Sequence, residues 1–151
     1  MDPASAATTC LLALASPKGS LIVGGVGDGL AMARTGSDMR VIIGDRGEDF
    51  ANETNGLGAS KGPRAWNLVE LPATELDRVV VLATDGVADD LLPERLDGFC
   101  DWLVDAFVPL TPRERWLRLS AELRAWPTPG HLDDKTLAVI YASPRSSEEA
   151  T

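Results

Sequence analysis

The sequence predicts an α+β domain in which an antiparallel β-sandwich is flanked by helices. Three observations support this fold class. Short apolar segments separated by brief turns fill the first third of the chain, two segments with helical spacing follow residue 90, and one more apolar segment lies near the end. Brief turns join antiparallel strands, because a parallel crossover needs a dozen or more residues. Helices in such an arrangement cover one face of the sheet.

The predicted strands are bounded by glycine, proline and aspartate. They cover residues 8–15, 20–26, 30–34, 39–43, 66–71, 78–84 and 135–142. Ser16-Pro17-Lys18-Gly19 has proline and glycine where a type I turn favours them. Gly27-Asp28-Gly29 breaks the second apolar run, and the short turns together predict an antiparallel meander. Residues 44–64 are polar and rich in glycine, which predicts a long loop.

Two helices are predicted between the sixth and seventh strands. Apolar residues recur with helical spacing from Leu96 to Phe107, and Pro93 stands near the first turn. Thr111-Pro112-Arg113-Glu114 has the pattern of a capping box with proline at the first helical position. Pro127 ends the apolar face of this second helix.

Several aromatic and basic residues are assigned to structure rather than to a site. The tryptophans at helical positions are predicted to make core or helix–helix contacts, and not a binding platform; they are Trp102, Trp116 and Trp126. Three basic residues could contact a phosphate, but are interpreted as solvated surface charges; they are Arg34, Lys61 and Arg64.

Composition limits the classes of function. The chain has 151 residues and a net charge of −9, with 44% hydrophobic and 25% charged residues, as in one globular domain. An acidic protein lacks the basic face that nucleic acids and anionic membranes attract, so neither partner is expected. The negative charge is compatible with cation binding, and equally with solubility alone.

The sequence also predicts the domain bounds and the cellular compartment. Residues 8–142 are expected to form the domain, residues 1–7 to be disordered or to begin a strand, and residues 143–151 to form a flexible tail. Cys10 and Cys100 form no CxxC pattern and are interpreted as buried free thiols. Without a secretory signal or a membrane-spanning segment, a cytoplasmic location is expected.

Two acidic turns at the ends of apolar strands carry most of the functional information. One apolar run ends at Asp85 and another follows Asp133. If these strands are antiparallel neighbours, the two carboxylates meet at one end of a sheet. Carboxylates held close together need a cation or a shared proton, so a divalent metal site is the leading hypothesis. Asp28 lies in a similar turn, although each aspartate alone is compatible with an ordinary turn.

Four segments together resemble a known enzyme family. They are Val26-Gly27-Asp28-Gly29, the Thr84-Asp85-Gly86 strand end from Leu82 to Asp89, the Asp133-Asp134 strand start, and Gly47-Glu48-Asp49-Phe50-Ala51-Asn52-Glu53-Thr54. Their order and spacing resemble the later motifs of the metal-dependent, PPM-type (type 2C) protein phosphatases. The resemblance is closest to the bacterial branch of the family, and it covers nearly the whole chain.

The resemblance implies a metal-dependent enzyme. It implies two Mg²⁺ or Mn²⁺ ions, with a weaker third, and hydrolysis of phosphoserine or phosphothreonine in a phosphoprotein substrate by a metal-activated water. By the resemblance, Asp85 and Asp133 are metal ligands and Asp28 belongs to the third metal. Gly86, Asp89 and Asp134 are implied to support the ligands.

The earlier motifs of the family are not found in this sequence. Family members carry an Ala-Asp-Gly-x-Gly loop before the segment that this chain enters near Ala7, and that loop supplies a bridging aspartate. The sandwich is therefore expected to be truncated at its N-terminal side. A fragment, one half of a split enzyme and a non-catalytic interaction module are all compatible with this pattern. Low activity of the chain alone is expected, with a second chain or self-association covering exposed apolar surface.

Overall fold

The computed structural model describes residues 8–43, 66–127 and 133–143. The predictions for residues 1–7 and for the loop at 44–64 lie outside these ranges, as does nearly all of the predicted tail at 143–151. The segment Gly47 to Thr54, which contributes to the family resemblance, also lies outside them.

Seven strands in the described residues form two antiparallel sheets. The strands are β1 (Cys10–Ala15), β2 (Leu21–Val26), β3 (Leu30–Thr35), β4 (Asp38–Ile43), β5 (Asn67–Leu71), β6 (Arg78–Ala83) and β7 (Leu137–Ala142). The first sheet has the order β1-β2-β5 and the second has the order β4-β3-β6-β7. With the helices described below, this confirms the predicted α+β fold class.

The predicted meander is wrong at one turn, where the chain passes from the first sheet to the second. β1 pairs with β2 and β3 pairs with β4, but β2 and β3 belong to different sheets. Gly27 has a φ of 117°, and a Cβ atom there would collide with Thr9. Glycine adopts this conformation without strain, and at this turn the chain passes from the first sheet to the second.

The described residues contain three helices, of which the second and third match the sequence prediction. They are α1 (Asp85–Ala88), α2 (Leu96–Phe107) and α3 (Pro112–Ala125), with a 3-10 turn at Pro93–Arg95 before α2. The capping box of α3 is present, because Glu114 N donates to Thr111 Oγ1 and Thr111 N donates to Glu114 Oε2. The single turn α1 is not predicted from periodicity. In the described residues, no helix combines the length and the hydropathy needed to cross a membrane.

Two hydrophobic layers lie on opposite faces of the second sheet. Val80 contributes to the layer between the sheets, together with Leu21, Val23, Ala31, Ala33, Ile43 and Leu71. Val79 and Val81 contribute to the layer under α2, together with Leu30, Met32, Cys100, Leu103 and Phe107. Alternate side chains of β6 therefore enter different layers. Packing on both faces holds β6, and with it the turn at Asp85, in a fixed position.

Candidate metal centre

Strand pairing brings the three acidic turns to one end of the second sheet. Ala83 at the end of β6 pairs with Leu30 at the start of β3 and with Leu137 at the start of β7. Asp28, Asp85 and Asp133 all lie just beyond this row of paired residues. The predicted antiparallel pairing of the strands that carry Asp85 and Asp133 is thus observed, and neighbouring strands are about 4.8 Å apart.

Thr84 fastens the Asp85 turn to the Asp133 turn. Its backbone N–H donates to Thr136 O at 3.1 Å, and its hydroxyl donates to Asp134 O at 3.1 Å. Thr136 N in turn donates to the Thr84 hydroxyl at 2.9 Å. These three hydrogen bonds continue the pairing of β6 and β7 beyond the strands. The two turns are therefore held together by backbone and hydroxyl groups, independently of their carboxylates.

Gly86 allows the two turns to approach closely. It is buried, and a Cβ atom at this position would lie 2.5 Å from Asp134 O and 3.1 Å from Asp133 O. A side chain would push the Asp133–Asp134 backbone away from α1. At Gly86, which is predicted to support the ligands, the backbone of α1 thus packs directly against the backbone of Asp133 and Asp134.

The Asp85 carboxylate is oriented by the first turn of α1. Asp85 is the first residue of this helix and is half-buried, and its Oδ1 accepts a hydrogen bond of 2.7 Å from Gly86 N. Asp89 follows at the end of the same turn, where its N–H donates to Asp85 O at 2.9 Å. Asp89 itself is exposed. The backbone hydrogen bond of the single turn α1 therefore fixes the position of Asp89 relative to Asp85.

Asp28 and Asp133 lie in more open surroundings than Asp85. Asp28 is exposed, and its Oδ1 accepts a hydrogen bond of 2.6 Å from the Thr9 hydroxyl. Asp133 and Asp134 are exposed as well, and Lys135 Nζ donates to Asp133 O at 3.2 Å. Asp28 is thereby tied to the segment before β1, whereas Asp133 lies beside the end of β6.

The donor chemistry of this end of the sheet fits a hard divalent cation. Carboxylate oxygens of Asp85 and Asp133 and the nearby main-chain carbonyls are the ligand types that Mg²⁺ and Mn²⁺ prefer. Among the described residues, however, no group of three or more histidine, cysteine, aspartate or glutamate side chains is arranged to hold a metal ion. The residues thus fit an ion that keeps several water ligands, and they do not by themselves make a complete two-metal site.

Comparison with known families decides where the chain belongs. The family model of protein phosphatase 2C matches residues 1–126. The chain belongs to the protein phosphatase 2C family. No curated protein and no solved structure gives a significant match. The match to the phosphatase 2C family includes Asp28, Asp85, Gly86 and Asp89, and it ends before Asp133 and Asp134.

Two residues that position the acidic turns of this phosphatase 2C chain are missed by reasoning from sequence. The sequence predicts Thr84 as the last residue of one strand and Thr9 as part of another. Both hydroxyls instead bond to neighbouring acidic turns. A threonine directly before Asp-Gly is a usable signal, because short hydroxyl side chains often satisfy backbone groups at helix starts and turns.

Proposed function

We propose that this chain carries part of the catalytic site of a phosphoprotein phosphatase that depends on Mg²⁺ or Mn²⁺. The proposed reaction is hydrolysis of phosphoserine or phosphothreonine in proteins. The observation that carries the proposal is the meeting of the Asp28, Asp85 and Asp133 turns at one end of the second sheet. Membership of the phosphatase 2C family supports phosphatase activity in general. The two cysteines are free, which favours a reducing compartment and so the cytoplasm.

Asp85 and Asp133 are the proposed metal ligands, with Asp28 for a weaker third ion. When bound, such ions provide a water of lowered pKa as the nucleophile and offset the charge on the phosphoryl oxygens. The chain's own contribution is positional. Gly86 N orients the Asp85 carboxylate, and Thr84 holds the Asp133 turn against the end of β6. Asp89 and Asp134 are proposed to orient the ligands or their waters.

The proposed site needs further ligands for two ions. The described residues contain no group of three metal-ligating side chains, and β7 lies at the edge of its sheet with Val139 and Ile140 each 37% exposed. We propose that the missing ligands come from a second chain, through a partner or self-association, which also covers apolar surface. The same observations favour the second candidate function, a non-catalytic interaction module with the phosphatase fold.

Substitution of Asp85 and Asp133 tests the catalytic proposal. We expect Asp85→Asn and Asp133→Asn to lower Mn²⁺-dependent hydrolysis of a phosphothreonine peptide by at least about 100-fold. Asp105→Asn is the matched control, because Asp105 is an exposed residue of α2 outside the site. Calorimetric titration with Mn²⁺ provides a readout that does not depend on turnover, and both site variants should bind the ion more weakly than the control.

The two candidate functions predict different results. Turnover that disappears in Asp85→Asn and persists in Asp105→Asn supports the enzyme. Absence of Mn²⁺ binding and of turnover, also after co-purification with interacting chains, contradicts the enzyme and favours the interaction module.

A further inference from the structure

A cleft of about 300 Å³ lies between the end of α1, the middle of α2 and the end of α3. Its lining consists of Asp90, Trp102, Glu122, Ala125, Trp126 and Pro127. Two tryptophans and two acidic residues therefore line one concave surface. None of these residues belongs to the proposed metal site.

In the sequence, few residues separate two of the cleft residues from the acidic turns. Asp90 follows Asp85 by five residues, and Pro127 precedes Asp133 by six. Five extended residues span at most about 18 Å, and the path from Asp85 is shorter because it includes the helical turn α1. A peptide that presents one residue at the acidic turns can thus reach the cleft with a side chain a few residues away.

Contacts among the aromatic residues hold the lining in place. Trp126 Nε1 donates to Asp90 Oδ2 at 3.0 Å. Phe99 stacks on Trp102 with ring centroids 5.6 Å apart, and it lies nearly perpendicular to Trp126 with ring centroids 6.2 Å apart. Because these contacts already order the rings, binding of a ligand costs little conformational entropy of the cleft side chains.

The chemistry of the lining fits a cationic group. Indole rings attract guanidinium and ammonium groups, and carboxylates pair with them. Glu122 is 3.9 Å from Arg118 in an exposed ion pair of the i, i+4 type. Such a pair contributes little, so an incoming cation can compete for Glu122.

We propose that this cleft binds the cationic side chain of an arginine or lysine in a protein ligand. Resting on the proposed function, that ligand is the phosphoprotein substrate, and the basic residue lies within a few positions of the phosphorylated one. The cleft then determines which phosphorylated sequences the enzyme prefers.

Nuclear magnetic resonance of the indole N–H groups tests the binding without metal or phosphate. The probes are three unphosphorylated peptides that differ at one position, carrying arginine, lysine or the neutral isostere citrulline. We expect the arginine or the lysine peptide to shift the Trp102 and Trp126 signals, and the citrulline peptide to bind at least severalfold more weakly. Trp66 and Trp116 do not line the cleft and serve as internal controls.

Charge-neutralising variants locate the effect. Glu122→Gln and Asp90→Asn each keep a hydrogen-bonding group and should weaken binding of the cationic peptides roughly two- to fivefold. Glu70→Gln makes the same change of charge on β5, in the other sheet, and should leave the affinity unchanged. Equal affinity for citrulline and for both cationic peptides, equal weakening by Glu70→Gln, or shifts confined to Trp66 and Trp116 would overturn the proposal.

The binding experiment and the activity experiment can fail independently of each other. Failure of catalysis leaves the binding result intact, since the peptides carry no phosphate. If turnover occurs, kcat/KM should be roughly two- to fivefold higher for the preferred cationic phosphopeptide than for the citrulline phosphopeptide. In Glu122→Gln this ratio should fall toward one.

Discussion

Single neighbours of the aspartates determine the geometry of the acidic turns. Thr84 bonds across to the Asp134 carbonyl, and Gly86 leaves room for that carbonyl to approach. Arg34, interpreted from sequence as a solvated charge, is instead largely buried and pairs with Asp101 at 2.6 Å. In each case the role of the residue depends on an element that is distant in sequence.

Gly86→Ala should destabilise the protein, because the new methyl group would stand 2.5 Å from Asp134 O. We expect a loss of about 1–3 kcal/mol in the free energy of unfolding, measured by urea denaturation. Gly98→Ala in α2 is the control, since a Cβ atom there meets nothing within 4 Å. Alanine favours the helix, so the control should gain up to about 1 kcal/mol. Equal effects of the two substitutions would contradict the close-approach argument.

Cys100 should be unreactive in the folded protein. Burial raises the pKa of its thiol to about 11 from the usual 9.0. At pH 8 we expect a thiol reagent to modify the half-buried Cys10 and to spare Cys100 until the protein is unfolded.

The same shift gives a pH dependence of stability. The unfolded thiol ionises near pH 9.0 while the folded thiol stays protonated to about pH 11. The contribution is therefore present below pH 9 and is lost as the pH rises toward 11. Denaturation at several pH values should show a steeper alkaline loss for the native protein than for Cys100→Ala, and equal slopes would contradict the shift.

Helix α3 starts where local sequence predicts, but its packing differs from the prediction. α3 begins at a complete capping box, yet none of its residues is buried, and Trp116 is 66% exposed. The prediction that Trp116 makes a core or helix–helix contact is thus wrong. Helical spacing identified an apolar residue, but it could not tell which side of α3 faces α2.

Thr111→Ala should weaken the start of α3 by removing the hydroxyl that accepts from Glu114 N. We expect a loss of about 1 kcal/mol in the free energy of unfolding. Ser120→Ala, in the middle of the same helix, should be close to neutral.

The cost of Thr111→Ala should also depend on pH. Hydrogen bonds from the Thr111 side chain and backbone lower the pKa of Glu114. Their stabilising effect is present above the ordinary pKa of glutamate and is lost as the pH falls through the lowered value. The difference between the native protein and the variant should therefore narrow in acid, and a constant difference would exclude this contribution of Glu114.

For the whole molecule, β6 links the two hydrophobic layers. Val80 faces the layer between the sheets and Val81 faces the layer under α2, and both are at most 1% exposed. Loss of packing in either layer is therefore expected to destabilise β6. Asp85 directly follows the end of this strand together with Thr84.

Val80→Ala and Val81→Ala should each cost about 2 kcal/mol, because each removes two buried methyl groups. Since both layers share β6, we expect one cooperative transition in both variants. Tryptophan fluorescence reports mainly on the helices, and far-ultraviolet circular dichroism reports on all elements. Coinciding midpoints would support a single unit, whereas separate midpoints would show that the layers unfold independently.

Much of the secondary structure could be predicted from sequence. The sequence predicts β6 at 78–84 and the structure has it at Arg78–Ala83, and α2 follows the spacing of Leu96 to Phe107. These segments combine strong periodicity with clear terminal residues, so local chemistry suffices. Periodicity does not predict α1, because four residues are too few to show a helical period.

Local sequence patterns are sufficient to predict the fold class, the ends of α2 and α3, and the membership of the phosphatase 2C family, which the family comparison confirms. Periodicity, capping and motif order are local properties, and they are readable from the chain. Three features are visible only in the folded chain: the passage into a second sheet at Gly27, the link that Thr84 makes between the Asp85 and Asp133 turns, and the cleft that Trp102 and Trp126 share with Asp90. These relations depend on strand pairing and helix packing between residues far apart in sequence, which no local pattern encodes.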